Sequence, residues 1–220
     1  MRPRSYDRQR AALVDLLREK GIVDDRVLRA VGAVPRHAFV EPALRHRAYK
    51  DEALPIGLKQ TISQPFTVAY QTMLLGVRDG DKILEVGTGS GYQAAVLSEL
   101  GARVFSIERH APLLDRTKVL LNELGYRVRT RHGDGTLGWT ALAPFDGIVV
   151  TAGGSDVPDT LLDQLRLPEE EKRGGRLIIP VGDAEKQTML RFTRTGPESL
   201  EREEFMDFRF VPLVAEDGPR

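Results

Sequence analysis

Lys82-Ile83-Leu84-Glu85-Val86-Gly87-Thr88-Gly89-Ser90-Gly91 is a short apolar run that breaks into three glycines. The run suits a strand, and Tyr92 to Leu100 after it suits a helix. A glycine turn between strand and helix permits positive φ and lets a ligand approach the main chain. The dinucleotide fingerprint would need glycine at 87, 89 and 92, but position 92 is Tyr and the third glycine falls at 91. Glu85 stands just ahead of the loop. A carboxylate there would repel a pyrophosphate and attract a cation. S-adenosylmethionine has a sulfonium, an α-ammonium and no phosphate, so it is the ligand this loop suits.

Outward from the loop, strand and helix patterns alternate. Arg103 to Glu108 reads as a strand, Leu113 to Leu124 as a helix and Tyr126 to Arg131 as a strand. Phe145 to Thr151 is a fourth strand, whose Ile148-Val149-Val150 suits burial on both faces. Leu161 to Leu165 belongs to a helix, Arg176 to Val181 to a fifth strand, and Thr188 to Leu213 to two more. The expected fold is α/β: a Rossmann-like, doubly wound, mostly parallel seven-stranded sheet with an antiparallel edge. Three acids then end successive strands: Glu85, Glu108 ahead of Arg109, and Asp134 within Gly133-Asp134-Gly135. Ligands of open α/β sheets bind at that edge, where Glu108 can take ribose hydroxyls and Asp134 an adenine amino group. The bland alternatives are a tight turn at 87–91 and a helix-capping Glu108; three acids in phase favour the adenosyl ligand.

Upstream, the first ~75 residues read mainly as helices forming an N-terminal cap. Leu13, Leu16 and Leu17 share a helical face, Gly21 is a stop, and Asp24 caps a second helix with Val27, Leu28 and Val31. Asp51 to Gln64 reads as a loop, and a helix starts near Pro65 and runs to about Leu75. The expected organisation is one catalytic domain, 1–220, with 1–77 as cap and substrate-side loop and 78–220 as cofactor-binding core.

Composition narrows the function classes. Hydrophobic residues make up 41% and charged residues 29%, as in soluble globular proteins. Lys plus Arg and Asp plus Glu are both 32, so no global basic field draws the chain to nucleic acid or membrane. There is no cysteine, which removes disulfides, thiol catalysis and cysteine metal sites. No apolar run nears the ~20 residues of a membrane span, and Met1-Arg2-Pro3-Arg4-Ser5 leads into no secretory h-region. A cytoplasmic monomer is expected, without metal, nucleic-acid or membrane partners.

The chain resembles the protein-L-isoaspartate (D-aspartate) O-methyltransferase family over nearly its whole length. The carrying segments are Ala33-Val34-Pro35-Arg36 with Phe39-Val40, Ala53 to Gly57, Gln60-Thr61-Ile62-Ser63-Gln64-Pro65, Glu85 to Tyr92, Arg131 to Gly135, Pro144-Phe145-Asp146, Gly174 to Gly182 and Arg209-Phe210-Val211-Pro212-Leu213. The glycine loop is shared by many class I methyltransferases; the Thr-Ile-Ser-Gln-Pro segment is specific to this family. The resemblance implies S-adenosyl-L-methionine as donor, S-adenosyl-L-homocysteine as product and isoaspartyl peptides and damaged proteins as acceptors. It implies Ser63 as the active-site serine, with Gln60, Thr61 and Ile62 lining the cleft. It matches Glu85, Gly87, Thr88, Gly89, Ser90, Gly91, Glu108, Arg109, Asp134 and Gly135 to cofactor-contacting positions. Thr151-Ala152-Gly153-Gly154-Ser155 is more glycine-rich than usual after strand four, and Pro168 to Lys172 reads as an extension.

The residues suit that chemistry. A carboxylate acceptor, of pKa near ~3.5–4, is ionised at neutral pH and needs neither base nor metal. The four histidines, His37, His46, His110 and His132, read as structural or surface residues; His132, beside Asp134, is the one nearest the motifs of the cleft. Ser63 ahead of Pro65 is also a good helix N-cap, and the two roles are compatible. The rivals are a nicotinamide dehydrogenase, opposed by Tyr92 and Glu85, a methyltransferase of RNA or a small molecule, for which Arg2 to Arg10 speak weakly, and a non-catalytic adenosyl sensor, opposed by the Ser63 segment.

Overall fold

The computed structural model describes residues 3–183 and 185–213; Met1-Arg2 of the basic N-terminus and residues 214–220 lie outside them. Two helices open the chain, α1 (Pro3–Glu19) and α2 (Asp25–Ala33). Asp24 caps α2 as its sequence suggests, accepting from the amides of Arg26 and Val27. Short 3-10 turns follow, then the hairpin β1 (Leu54–Gly57) and β2 (Gln60–Ile62), and α3 (Pro65–Leu75). The core alternates β3 (Lys82–Val86), α4 (Tyr92–Glu99), β4 (Arg103–Glu108), α5 (Ala111–Glu123), β5 (Arg129–His132), β6 (Gly147–Val150), α6 (Asp159–Leu162) and β7 (Arg176–Gly182). It closes on β8 (Gln187–Arg194) and β9 (Leu200–Phe208).

The seven-stranded sheet runs β5-β4-β3-β6-β7-β8-β9. The first five in that order are parallel, and β8 enters antiparallel between β7 and β9. This is the doubly wound sheet with an antiparallel edge expected from the alternation. Its strands feed two cores. Ile83, Val104, Val149 and Ile178 pack beneath α3, α4 and the N-terminal helices. Leu84, Val86, Ile107, Ile148 and Val150 pack on the opposite face with Phe145, Leu161 and Leu165. Strand order reverses between β3 and β6, so the carboxyl ends of those strands open a crevice.

Two local expectations need correction. The segment 51–64 is not all loop, because Leu54 pairs with Ile62 and Pro55 with Thr61 in the β1–β2 hairpin. Leu54, Ile56 and Ile62 bury one side of it. Its tip places Leu58 and Lys59 at φ of 52° and 57°. Such tips usually carry Asn or Gly, so the turn has no turn-like spelling. Ser63 does not cap α3 either: the Phe66 amide is accepted at 2.8 Å by Asp51 Oδ1, from the preceding turn. Asp51 is held in turn by Lys20 and by Gln64. Element ends also shift, β5 starting at Arg129 and β6 at Gly147.

Candidate active site

At the crevice the glycine loop crosses from β3 to α4. Gly87 N and Thr88 N donate to Ile107 O, which ties the loop to the end of β4. Gly87 has φ of 98°, and a Cβ on it would overlap Thr151 Oγ1, whose hydroxyl donates to Val86 O and Gly87 O. Gly91, at φ of 87°, opens α4, and a Cβ there would lie 2.8 Å from Thr117 Cγ2 on α5. These two glycines hold the loop's shape. At Gly89 a Cβ would meet nothing nearer than Ile56 Cδ1 at 3.8 Å, so this is the place where main chain borders open space.

The space is a cleft of about 850 Å³ including its mouth. Of the residues selected from sequence, Gln60, Thr61, Ile62, Ser63, Glu85, Gly87, Thr88, Gly89, Ser90, Glu108, Arg109 and Gly135 line it. Gly91 and Asp134 are not among its lining residues. Asp134 Oδ1 accepts from the amide and hydroxyl of Thr136 and so starts the 3-10 turn (Gly135–Leu137) that brings Gly135 to the cleft. A Cβ on Gly135 would overlap Val86 Cγ1, so only glycine lets this turn approach β3. His132 bonds the Arg109 carbonyl at 2.9 Å and does not itself line the cleft.

The acids differ in character. Glu108 receives Gly89 N at 2.8 Å and His110 N at 2.9 Å, one on each carboxylate oxygen. Glu85 is fully buried. Its Oε2 accepts from Ser106 Oγ at 2.5 Å, and Ser106 Oγ lies 2.6 Å from Thr88 Oγ1. Its Oε1 has no hydrogen-bond partner among the described residues. Burial pushes the Glu85 carboxyl up to about 8; Ser106 and the Ala94 amide pull against that shift and the Glu108 charge adds to it. A buried, unpartnered acceptor at a cleft wall is what a cationic ligand would satisfy, so the residues fit the α-ammonium of S-adenosylmethionine.

Ser63 stands where the cleft meets a second groove. Thr61, Ser63, Thr151 and Val211 line both. The Ser63 hydroxyl has no hydrogen bond within the described residues, while its carbonyl accepts from Arg36 Nη2 at 2.9 Å. Arg36 is itself fully buried, donates to Ala48 O and stacks 4.7 Å over the Tyr92 ring. It therefore locks the Ser63 segment to the N-terminal cap and to the first turn of α4. The far wall of the groove is the stretch 206–211, and Pro212 and Leu213 beyond it line the cleft. Gly153 N donates to Val211 O at 2.8 Å, Leu213 N to Gly153 O at 2.6 Å, and the Gln187 side chain accepts from Phe210 N. Thr151, Val211, Tyr92 and Gln93 also line the cleft, and so does His110, which the sequence suggested was structural or at the surface. Only the strand-end position of Thr151 pointed there. Among the described residues no group of His, Asp or Glu is arranged to hold a metal ion.

A Rossmann-like sheet with a glycine loop after β3, an acid ahead of it and another at the end of β4 defines the class: an S-adenosylmethionine-dependent methyltransferase fold. Residues 8–218 match the profile of the family described as Protein-L-isoaspartate(D-aspartate) O-methyltransferase. The chain is 68% identical to a protein-L-isoaspartate O-methyltransferase of Salinibacter ruber, over 97% of this chain and 95% of that one. It is 50% identical to one of Cytophaga hutchinsonii, over 95% of this chain and 92% of that one. A solved protein-L-isoaspartate O-methyltransferase superposes with a TM-score of 0.81 at 29% identity, covering 95% of this chain and 67% of that one. A putative Plasmodium falciparum enzyme, solved with S-adenosyl-L-homocysteine, shares the fold with a TM-score of 0.78 at 24% identity, over 92% of this chain and 97% of that one. The chain belongs to the protein-L-isoaspartate(D-aspartate) O-methyltransferase family. The fold, enzyme class and cofactor expected from sequence stand on these matches.

Proposed function

We propose that this chain transfers a methyl group from S-adenosylmethionine to the free α-carboxylate of L-isoaspartyl residues in damaged proteins, with D-aspartyl residues as further acceptors. The observation that carries the reading is the junction at Ser63. A cleft walled by Glu85 and Glu108 and a groove walled by residues 206–211 meet at a hydroxyl that has no partner among the described residues.

The bound cofactor supplies an electrophilic methyl group; the chain supplies position. Glu85 would hold the α-ammonium of the bound cofactor. Glu108 keeps lone pairs for the ribose hydroxyls beyond its two amide bonds. Gly135, set in place by Asp134, borders the adenine. Thr88, Gly89, Ser90 and Arg109 complete the wall, Gly87 and Gly91 keep the loop's shape, and Gln60, Thr61 and Ile62 cover the cleft from the hairpin. The acceptor carboxylate, of pKa near ~3.5–4, arrives ionised, so no side chain has a proton to remove. Ser63 donates one hydrogen bond to it and leaves the other oxygen free to attack. Orienting two reactants supplies several kcal/mol, up to ~7–11 in ideal cases. Charge is neutralised during transfer, so a covered site favours it. The amide nitrogen of the following residue then attacks the ester carbonyl and expels methanol, which a carboxylate could not do, and water opens the resulting succinimide partly to normal aspartate. We place the enzyme in the cytoplasm as a monomeric single catalytic domain, 1–77 capping 78–220, without nucleic-acid or membrane partners.

The test is Ser63→Ala. Loss of one hydrogen bond to a charged acceptor is expected to lower kcat roughly 10–100-fold. Affinity for S-adenosylhomocysteine should stay within twofold. Turnover equal to the parent's in a folded Ser63→Ala protein would remove Ser63 from the reaction.

A further inference from the structure

Gln93, on the first turn of α4, lines the adenosyl cleft and is 6% exposed. Its amide orientation is fixed by proton bookkeeping. Thr72 Oγ1 donates its only proton to Val68 O at 2.7 Å. The contact between Thr72 Oγ1 and Gln93 at 2.9 Å therefore has the amide nitrogen Nε2 as donor. Gln93 Oε1 is left as an acceptor, buried and without a partner among the described residues. Glu85 Oε1 is in the same condition, on a residue lining the same cleft. The two residues wall the same cleft from β3 and α4, the elements that the glycine loop joins. Tyr92 OH is also unpartnered, but its ring belongs to the Arg36 stack.

A buried acceptor without a donor is costly, and Gln93 Oε1 is one; Glu85 Oε1 becomes a second when the Glu85 carboxyl ionises. A ligand group that satisfies both must bring at least two N–H donors and positive charge. A phosphate or carboxylate brings neither. We propose that Gln93 is a cofactor-binding residue whose Oε1 shares the α-ammonium of the adenosyl-methionine ligand with Glu85. Thr72 is its positioning residue, since it holds the amide with oxygen free. The inference rests on the placement of the α-ammonium at Glu85 argued above.

Calorimetric binding of two ligands separates the possibilities. S-adenosylhomocysteine carries the α-ammonium; 5′-methylthioadenosine has the adenosine and thioether but no amino-acid end. Gln93→Met is expected to weaken S-adenosylhomocysteine roughly 10–100-fold, the range for a hydrogen bond to a charged group, and 5′-methylthioadenosine less than twofold. Thr72→Val keeps Gln93 but frees its amide, and should give a smaller, equally selective loss. Equal weakening of both ligands, or unchanged affinity for S-adenosylhomocysteine in Gln93→Met, would overturn the assignment. Glu85→Gln in parallel tests the underlying placement. If it too fails to discriminate between the ligands, the ammonium lies elsewhere; if it discriminates while Gln93→Met does not, only the Gln93 assignment falls.

Discussion

Ligand binding at Glu85 should release a proton, and the amount follows from its burial. With the carboxyl pushed up to about 8, roughly nine-tenths of the ligand-free protein carries this proton at pH 7. An ammonium placed against Glu85 favours the ionised form and draws its pKa back toward the ordinary carboxylate range. Binding of S-adenosylhomocysteine is then expected to release about 0.9 proton at pH 7, about 0.5 at pH 8 and about 0.1 at pH 9. The same linkage tightens binding about fivefold between pH 7 and pH 8. The assay is titration calorimetry in buffers of different ionisation enthalpy, where the slope of observed heat gives the proton count. His110 also lines the cleft, so Glu85→Gln is the control and should remove the release. An enthalpy independent of buffer at pH 7, or the same release from Glu85→Gln, would refute the reasoning. The ligand-free protein carries the complementary sign. A folded pKa above the ordinary 4.5 means a contribution to stability that is complete below pH 4.5 and lost as pH rises to about 8. Glu85→Gln should therefore gain thermal stability over the parent progressively from pH 5 to 8, while binding cofactor less well.

Two other expectations rest on the hairpin and its anchor. Lys59→Gly relieves a left-handed residue at the hairpin tip, worth ~1–2 kcal/mol, against ~0.5–1 kcal/mol of added chain entropy. The net gain of roughly 0.5–1 kcal/mol would raise Tm by about 1–4 °C in a scanning measurement. Asp51→Ala removes the cap of α3 and leaves Lys20 and Gln64 without their shared acceptor. It should cost about 2–3 kcal/mol in denaturant unfolding and weaken peptide turnover through the adjoining Ser63 segment.

What the sequence disclosed follows from how local each signal is. Ile148-Val149-Val150 and the break from Lys82–Val86 into glycines depend on neighbours in the chain, and the sheet could be drawn from them. Glu85, Glu108 and Gly135 were legible because strand ends converge in a doubly wound sheet. The hairpin was not, because Leu58 and Lys59 adopt a turn that their side chains do not advertise. The cap of α3 was misplaced because its acceptor is Asp51, a residue brought in by the fold and not adjacent to Pro65. Arg36 could be quoted from sequence but not understood, since its partners are the carbonyls of Ala48 and Ser63 and the ring of Tyr92. Asp134 and Gly91 illustrate a further limit. Both belong to motifs expected from sequence to contact the cofactor, yet the structure sets one to start a turn and the other to let α5 approach. Gln93 carries no signal in the sequence, since its orientation depends on the proton of Thr72.

The central claim is that the enzyme aligns an already ionised isoaspartyl carboxylate against the donor methyl at Ser63. The most direct measurement is labelled methyl transfer from S-adenosylmethionine to two synthetic peptides of one sequence, with isoaspartate in one and aspartate in the other at the same position. The account expects label in the isoaspartyl peptide alone, as a base-labile ester, at a rate flat over the pH range in which acceptor and cofactor site keep their ionisation. Equal labelling of both peptides, or of neither by folded protein that binds S-adenosylhomocysteine, would contradict it.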